Sequence, residues 1–428
     1  MRLFALVALT LLSVPRGVHA SDLALKHAII YIQPDRPPIY DGTILIHDTR
    51  IAAIGPTRSI RLPPGISSIN CKGLAVTAGF WNSHVHFLPA PLLHADHQPP
   101  DVIKSQLQIM FTRWGFTTVF DIASILSNTN YIRSQIDTGK LLGPRVLTVG
   151  EPFWVKTPIY VQRYLATFNI SIPEVHSIPE ARARVDQQIH DGADSIKIFA
   201  GSIEAGHVEY MPADLASAIV AEAHRHNKLV FSHPSTIRGI ELSLDAGVDI
   251  LAHVTTSEAS EPGSTWPPEL VARIKAAHMS LIPTLTLFDF EMQRGHASPE
   301  AIEQVIALAV NQLHAYASAG GQILFGTDIG YIDHYDTAEE FQLMSRAGMT
   351  FPQILASLTT SPAHRFGYTS HSGRIAPGFD ADLVILNSDP AADITALAHV
   401  AYTIRNGKLI FNSNRPHPET GHGDRRNP

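Results

Sequence analysis

The sequence predicts an α/β protein with a (β/α)8 TIM barrel and a small β-sandwich-like domain that both chain ends form. Three observations predict this architecture. Eight short apolar runs recur between residues 75 and 330, amphipathic segments separate several of them, and strand-and-turn patterns lie before and after the series. Alternating strands and helices are typical of a parallel sheet, and eight alternations are the number that closes a barrel.

The eight predicted barrel strands are short runs of strand-forming residues. They are AVTAGFWNSHVHF from Ala75, FTTVFDIA from Phe116, RVLTVG from Arg145, DSIKIFAG from Asp194, KLVFSHPS from Lys228, VDILAHVT from Val248, SLIPTLTLF from Ser280 and GQILFGTDIG from Gly321. Helical patterns such as MPADLASAIVAEAHRHNK lie between them, and Thr337 and Glu340 have the spacing of a capping box. The barrel is therefore expected to span residues 75–368.

The flanking segments predict the small β domain. ALKHAIIYIQ, GTILIHDTRIAAIG and SINCKGL precede the barrel, and ADLVILN and VAYTIRNGKLIFN follow it. We expect residues 21–74 and 369–412 to join in one domain. Residues 413–428 have almost no apolar side chains and are predicted to be a disordered tail.

The first twenty residues have the pattern of a secretory signal peptide. A basic start, an apolar core of about a dozen residues and small residues at Val18 and Ala20 predict a signal peptide over residues 1–20, with cleavage after Ala20. No other stretch reaches the roughly 20 apolar residues of a membrane helix. The single Cys71 excludes an internal disulfide. We therefore expect a secreted or periplasmic protein without a membrane anchor.

Composition and charge favour a small-molecule substrate. The chain has 45% hydrophobic and 17% charged residues, which is typical of a globular protein. A formal net charge of −7, with scattered Lys and Arg residues, gives no basic surface for nucleic acid. The oligomeric state stays open, and a homo-oligomer is compatible with the sequence.

Ionisable side chains stand in predicted strands or at their ends, where a barrel of this kind places its active groups. They are His84, His86, Lys197, His233, His253 and Asp328. His84 and His86 share one face of the first strand, because residues i and i+2 of a strand point the same way. Imidazole and carboxylate are suitable ligands for Zn²⁺ and similar ions. These positions predict a metal site.

Each of these residues also has an ordinary structural interpretation. His253 alone is typical of a hydrogen-bonded core histidine, Lys197 of a paired lysine and Asp328 of a helix cap. A second His-x-His pair, His224 and His226, follows apolar residues at helix spacing and is interpreted as a solvated helix end. The occurrence of six such groups on one predicted rim favours a shared site.

Nine motifs, in this order, carry a resemblance to the amidohydrolase superfamily, and within it to imidazolonepropionase-like and prolidase-like hydrolases. They are TAGFWNSHVHF, GFTTVFDIA, GPRVLTVG, GADSIKIFAG, LVFSHPS, ILAHV, ILFGTD, TTSPAHRFG and GRIAPGFDADLVILNSDP. The resemblance covers nearly all of the mature chain. It implies a barrel that houses two divalent metal ions, with zinc as the expected element.

The resemblance also implies a ligand set and a mechanism. His84, His86 and Asp328 would hold the more buried ion, and the ligands of the more exposed ion would be His233 and His253. Lys197 would bridge both ions as a carboxylated lysine, formed with CO₂. A metal-bridging hydroxide would attack an amide carbonyl, with Asp328 as general base and then general acid. Single-metal deaminases of the superfamily generally lack this lysine, so its presence favours two-metal hydrolysis.

Substrate contacts are predicted in the loops that follow the strands. In dipeptidase-like relatives a Tyr after strand four and a His after strand three help to hold the substrate carboxylate. Tyr210 matches the first role, with His207 beside it. The second role has no counterpart, because EPFWVKTPIY replaces a glycine-rich segment with His. Arg163 or Lys156 would supply the charge instead, or would be solvated loop residues.

Aromatic residues cluster in the loop after strand three, and they predict either an apolar substrate pocket or aromatic loop packing. They are Phe153, Trp154, Tyr160 and Tyr164. The leading prediction is a dipeptidase or an N-acyl amino acid hydrolase. A lactonase or esterase, a single-metal deaminase and a non-catalytic binding protein are the alternatives, and the complete ligand set argues against the last of these.

Overall fold

The computed structural model describes residues 22–204, 207–255 and 265–414, which form a mixed α/β structure. The predicted signal peptide and residues 415–428 of the predicted tail lie outside the described residues. Within the described ranges, the longest helix is not apolar enough to cross a membrane, and the other helices are too short.

The strands are short and are numbered in chain order. They are β1 Leu23–Ile30, β2 Ile39–His47, β3 Arg50–Pro56, β4 Ser67–Asn70, β5 Ala75–Ala78, β6 Phe80–Val85, β7 Phe116–Asp121, β8 Arg145–Thr148, β9 Ile196–Phe199, β10 Gly201–Glu204, β11 His207–Tyr210, β12 Val230–His233, β13 Ile250–Ala252, β14 Ser280–Ile282, β15 Leu383–Leu386, β16 Val400–Arg405 and β17 Lys408–Asn412.

The helices lie mainly between the strands of the middle region. They are α1 Pro100–Met110, α2 Leu126–Asp137, α3 Ile159–Ala166, α4 Ile178–His190, α5 Ala213–Arg225, α6 Ile237–Ala246, α7 Pro268–Ala276, α8 Leu285–Arg294, α9 Pro299–Ser318, α10 Ala338–Arg346, α11 Phe351–Leu358 and α12 Thr360–Arg365. Side-chain caps start several of them, as Ser177 does for α4 and Thr236 for α6.

Both ends of the chain contribute strands to one eight-stranded sheet. Its order is β17-β16-β15-β5-β1-β2-β3, and β4 pairs with β1. Leu25, Ile44, Leu383 and Ile385 are fully buried in the apolar cluster of this sheet. The domain boundaries predicted from the sequence remain predictions.

The run predicted as the first barrel strand is two strands. Residues Ala75–Ala78 pair with β1 and β15 in the eight-stranded sheet, whereas Phe80–Val85 pair with β7. The chain passes between the two sheets at Gly79, where an added Cβ would overlap the side chain of Thr117. The prediction of one strand was wrong because both segments are apolar and buried on both faces.

The middle region contains two parallel sheets, β6-β7-β8 and β9-β12-β13-β14. Isolated parallel bridges join residues 153 with 198, 281 with 323, and 85 with 329. The last predicted strand, from Gly321, makes only these isolated bridges. The parallel α/β pattern agrees with the prediction, and closure into one barrel remains a prediction.

The predicted strand SLIPTLTLF ends early and turns into a helix. β14 stops at Ile282, because Pro283 has no amide hydrogen for a strand ladder and Thr284 has a φ of 47°. Leu285–Arg294 then form α8. The consequence is that residues of α8, rather than of a strand, face the site described below.

The predicted capping box of Thr337 and Glu340 is wrong. Thr337 makes no side-chain cap bond, and Glu340 lies buried against the start of α8. Its carboxylate accepts hydrogen bonds from Leu285 N at 2.9 Å, Thr286 N at 2.8 Å and Thr286 Oγ1 at 2.9 Å. The carboxylate of Glu340 thus caps the unpaired amides at the positive end of the α8 dipole, and not the start of its own helix, α10.

Burial raises the pKa of Glu340 from 4.5 to about 7, although the backbone bonds to Thr286 and Leu285 oppose the rise. The folded state thus binds the proton more tightly than the unfolded state. The stabilisation is complete below pH 4.5 and is lost as the pH rises through 7. We expect wild type to lose about 2 kcal/mol of unfolding free energy between pH 5 and 8 relative to Glu340→Gln.

Denaturant unfolding of both proteins at several pH values measures this difference. The exposed Glu269, in the first turn of α7, supplies the control variant Glu269→Gln, which should keep the wild-type pH dependence. Parallel curves for wild type and Glu340→Gln would contradict the assignment.

Candidate active site

Two histidines and an aspartate meet where β6 approaches the extended segment that follows α9. His84 Nε2 and His86 Nε2 lie 3.1 Å and 2.7 Å from Asp328 Oδ1. Asp328 N donates to the carbonyl of His84 at 3.0 Å. Gly326 permits this approach, because a Cβ there would lie 2.7 Å from His84 Cβ. All three site residues are buried.

The neighbouring parallel strands add two more histidines and a lysine. The His253 ring lies 4.6 Å from the His84 ring and 4.8 Å from the His233 ring. Lys197, only 1% exposed, lies on β9, which pairs with β12. His253 Nε2 is 3.9 Å from Asp328 Oδ2. The six residues predicted from the sequence therefore line one cavity.

Hydrogen bonds fix the tautomers of two histidines. His86 Nδ1 donates to the carbonyl of Ala123 at 2.9 Å. Thr284 Oγ1 donates to the carbonyl of Pro283 and therefore accepts the Nδ1 hydrogen of His253 at 2.6 Å. Both Nε2 atoms are left with a lone pair that faces Asp328. Lone pairs directed at a carboxylate favour a cation between them.

Burial sets the charges of the cluster. It lowers the pKa of His84 and of His233 to about 3, and it holds the pKa of His253 well below its usual value. Burial also lowers the pKa of Lys197 to about 7. Burial alone would raise the pKa of Asp328, but His84 and His86 outweigh it and hold this pKa well below its usual value. At neutral pH the site therefore holds an ionised Asp328 together with the neutral imidazoles of His84, His233 and His253.

These donors fit a divalent metal ion. Ligand atoms of His84, His253 and Asp328 lie within 4.8 Å of one another. His84 Nδ1 is buried, and no hydrogen-bond partner is recorded for it among the described residues. Neutral imidazoles with a carboxylate are a common zinc ligand set, and a shared cation would satisfy them. The ligand roles of these residues remain predictions.

The backbone around the site adopts an uncommon conformation. Ser235, His253, Thr284 and Asp328 have φ values of 59°, 77°, 47° and 63°, and each follows a strand or an extended run. Such left-handed conformations cost a non-glycine residue about 1–3 kcal/mol and concentrate at functional sites. These positive φ values cannot be predicted from the sequence, because Ser, His, Thr and Asp also adopt the common backbone conformations.

The cavity above the cluster has a volume of about 440 Å³ and largely apolar walls. The loop after β8 and helix α3 contribute Trp154, Val161 and Leu165, and α8 contributes Leu287 and Phe288. Of the aromatic residues predicted to line a pocket, Trp154 lines it.

Phe153 instead packs under the guanidinium of Arg184, and Tyr164 donates a hydrogen bond to the carbonyl of Leu88. Both interpretations of the aromatic cluster therefore apply, to different residues.

The predicted carboxylate-binding residues lie elsewhere. Tyr210 Oη bonds Thr236 Oγ1 at 2.8 Å, and His207 is exposed beside Glu209. Neither Tyr210 nor His207 is among the residues that line the cavity, and Arg163 and Lys156 are not among them either. Their roles in substrate binding remain predictions without added support.

Sequence reasoning did not single out five polar residues of the cavity, namely Ser202, Ser235, Glu291, Arg294 and Tyr331. Glu291 and Arg294 lie on α8, and Tyr331 lies one turn beyond Asp328. The helical spacing of Leu287, Glu291 and Arg294 in the sequence is the signal that could have revealed the two residues of α8, but SLIPTLTLF, which contains Leu287, was predicted to be a strand.

The second His-x-His pair makes surface ion pairs. His224 Nε2 lies 2.8 Å from Asp249 and His226 Nε2 lies 2.5 Å from Asp186. Asp186, Glu222 and His226 also lie close enough to hold a metal ion. Arg225 forms ion pairs with Asp186 and Glu222, so one positive charge is already held within this group.

A parallel α/β structure with a buried carboxylate, four histidines and a lysine in one cavity defines a class, the metal-dependent hydrolases. The Amidohydrolase family matches residues 75–410, and the chain belongs to this family. Its members are metal-dependent, so the chain is an enzyme of metal-dependent hydrolysis that acts on small molecules.

One relative and two solved structures are similar to this chain. The chain is 25% identical to an ochratoxinase from Aspergillus niger, over 94% of this chain and 90% of the relative. A crystal structure of a putative prolidase from Bifidobacterium longum is 26% identical, with a TM-score of 0.76 and coverage of 91% and 94%. A Xaa-Pro dipeptidase with bound methionine, 22% identical over 91% and 99%, has the same fold with a TM-score of 0.77.

Proposed function

We propose that the protein is a binuclear metal-dependent hydrolase that cleaves the amide bond of a dipeptide or an N-acyl amino acid. The observation that carries the proposal is the convergence of six ionisable side chains on one cavity with apolar walls. Similarity to an ochratoxinase and to a putative prolidase supports a carbon–nitrogen bond as the target.

The residues present suit two metal ions rather than one. His84, His86 and Asp328 would hold one ion, and the ligands of the other would be His233 and His253. Bound metals would supply an activated water and polarise the scissile carbonyl. With zinc as the expected ion, five protein donors leave room for a bridging ligand.

Lys197 would supply that bridge as a carbamate. Burial lowers the pKa of Lys197 to about 7, so about half of its amine is neutral near pH 7, and a neutral amine attacks the carbon of CO₂. A nitrogen–carbon bond forms as one C=O π bond of CO₂ opens to an oxyanion, and one amine proton is released, so a neutral amine becomes an anionic carbamate. Lys197 lies on β9, which pairs with β12, the strand that carries His233, and this position supports the bridging role of Lys197.

The protein's own groups would orient the substrate and move a proton. Ala123 and Thr284 hold the rings of His86 and His253, so both Nε2 atoms face the cavity. Asp328, whose low pKa keeps it ionised, would accept the proton of the attacking water and pass it to the leaving nitrogen. The apolar walls exclude bulk water from these steps.

The wider organisation belongs to the same proposal. The two parallel sheets and the bridges between them would form a closed (β/α)8 barrel, and both chain ends would form a separate β domain. Residues 1–20 would direct export, which would place the enzyme in the periplasm or outside the cell.

Release of amino acid from dipeptides and N-acyl amino acids tests the function. We expect the purified protein, loaded with Zn²⁺ in bicarbonate, to hydrolyse such amides, and chelation to lower the rate at least about 100-fold. Lactones, esters and aminated heterocycles serve as comparison substrates for the alternative activities. Turnover of those compounds alone, with every amide inert, would contradict the proposal.

A further inference from the structure

We propose that Arg294 binds the carboxylate of the substrate's amino-acid half, and that the acyl half is a bulky apolar group. This inference rests on the proposed function, because it names the substrate that the same cavity would take. It concerns residues that sequence reasoning did not identify, and it assigns the carboxylate to α8 rather than to Tyr210.

Arg294 is an accessible cationic side chain of the cavity. Among the described residues that line the cavity, Lys197 and Arg294 are the cationic types. Lys197 is fully buried within the histidine cluster, whereas the Arg294 side chain is 51% exposed. Arg294 therefore offers a positive charge near the mouth that a substrate can reach without displacing a buried group.

Arg294 contacts Tyr331, which follows Asp328 closely in the chain. Tyr331 N donates to the backbone carbonyl of Asp328 at 3.1 Å, so the two residues lie in one turn of the chain. Arg294 Nη2 donates to Tyr331 Oη at 3.0 Å. Arg294, Tyr331 and Asp328 line one cavity, so the guanidinium shares it with the carboxylate that would act on the amide. The carboxylate of an N-acyl amino acid is only two bonds from the amide nitrogen, so it requires a cation close to the cluster.

The guanidinium is held in place with donors to spare. Both recorded side-chain hydrogen bonds of Arg294 use Nη2, one to Glu291 Oε2 at 2.6 Å and one to Tyr331. Within the described part of the chain, no hydrogen bond of Nη1 or Nε is recorded. A planar guanidinium binds a carboxylate through two parallel bonds, and fixing the side chain in advance lowers the entropy lost on binding. Glu291 thus acts as a positioning residue.

The walls of the cavity specify the other half of the substrate. Trp154, Val161, Leu165 and Ile172 line it from the segment after β8, and Phe288 lines it from α8. Ile203, 52% exposed, belongs to the same lining. Few polar side chains line this part of the cavity. An aromatic or branched apolar acyl group would cover this surface, and the removal of apolar area from water would favour its binding.

Two substrates that differ at one group test the carboxylate assignment. N-benzoyl-L-phenylalanine and N-benzoyl-L-phenylalaninol share a single amide, and the second has CH₂OH in place of the carboxylate. We expect the zinc-loaded wild type to favour the acid about 30-fold in kcat/KM, which reflects one charge-assisted pair. Arg294→Met should bring this ratio close to one, mainly through KM, and Arg294→Lys should give an intermediate ratio.

Matched variants and acyl groups complete the test. Arg273→Met removes an exposed, ion-paired arginine of α7 that does not line the cavity, and it should keep the wild-type ratio. N-(1-naphthoyl)-L-phenylalanine should exceed N-acetyl-L-phenylalanine about 10-fold in kcat/KM.

A wild-type ratio in Arg294→Met, with both amides hydrolysed, would overturn the carboxylate assignment and leave the proposed function standing. Equal rates for the naphthoyl and acetyl compounds would overturn the apolar half. Failure of the wild type to hydrolyse any of the four compounds, with dipeptides still cleaved, would overturn this inference alone, and failure on dipeptides as well would overturn the proposed function with it.

Discussion

The substitution Asp328→Asn is expected to lower kcat on N-acyl amino acids by at least about 10³-fold. Asn has nearly the same shape, but it carries no negative charge and cannot accept the proton of the attacking water. Asp328 is buried against His84 and His86, so the neutral side chain also weakens the attraction for a metal ion. Steady-state kinetics, with metal content and melting temperature measured on the same samples, tests this expectation.

A control for this variant lies in the same segment of the chain. Asp333→Asn changes an exposed carboxylate five residues further on, and it should keep wild-type kcat and metal content. Asp328→Asn with wild-type turnover would contradict the role of this carboxylate in proton transfer.

The substitution Lys197→Ala is expected to abolish turnover and to lower the metal content, and short carboxylic acids should restore part of both. The variant removes the amine and leaves a space at the centre of the cluster, because Lys197 is 1% exposed. If the lysine acts as a carbamate, an anion such as propionate replaces it as the bridging ligand. We expect recovery of turnover with added propionate to rise with its concentration.

The chemical form of Lys197 decides which additive restores activity. A lysine that acts as an ammonium or a free amine would be replaced by propylamine and not by propionate. The exposed Lys104 on α1 provides the control, and Lys104→Ala should keep wild-type activity with no response to either additive. Recovery with propylamine alone, or full activity without any additive, would contradict the carbamate.

The site could be predicted from the sequence because its residues interrupt apolar strands. Each of His84, His233 and His253 follows a buried apolar run, and a parallel sheet brings the ends of such runs to one edge. Tertiary structure adds what spacing cannot give, namely the Ala123 and Thr284 contacts that set the tautomers. Those partners are far apart in sequence and have no motif of their own.

The substrate-binding side was less predictable for a physical reason. SLIPTLTLF has the composition of a strand, but Pro283 ends the strand and the buried carboxylate of Glu340 caps the helix that follows. This long-range contact converts the segment into α8 and brings Arg294 to the cavity. A rule based on local propensity does not include a cap supplied from 55 residues away.

The division of AVTAGFWNSHVHF between two sheets has a similar origin. Both halves are apolar and fully buried, so periodicity does not separate them. The break is set by partners, because Ala75–Ala78 pair with β15 from the far end of the chain. Contacts between distant segments thus determine where the first parallel strand begins.

Metal content per chain of the purified wild-type protein, measured by elemental analysis beside Lys197→Ala, tests the central claim most directly. We expect close to two divalent ions per chain in wild type and a clearly lower metal content in the variant. One ion or fewer in wild type, unchanged by the substitution and by added Zn²⁺ with bicarbonate, would contradict a binuclear, carbamate-bridged hydrolase.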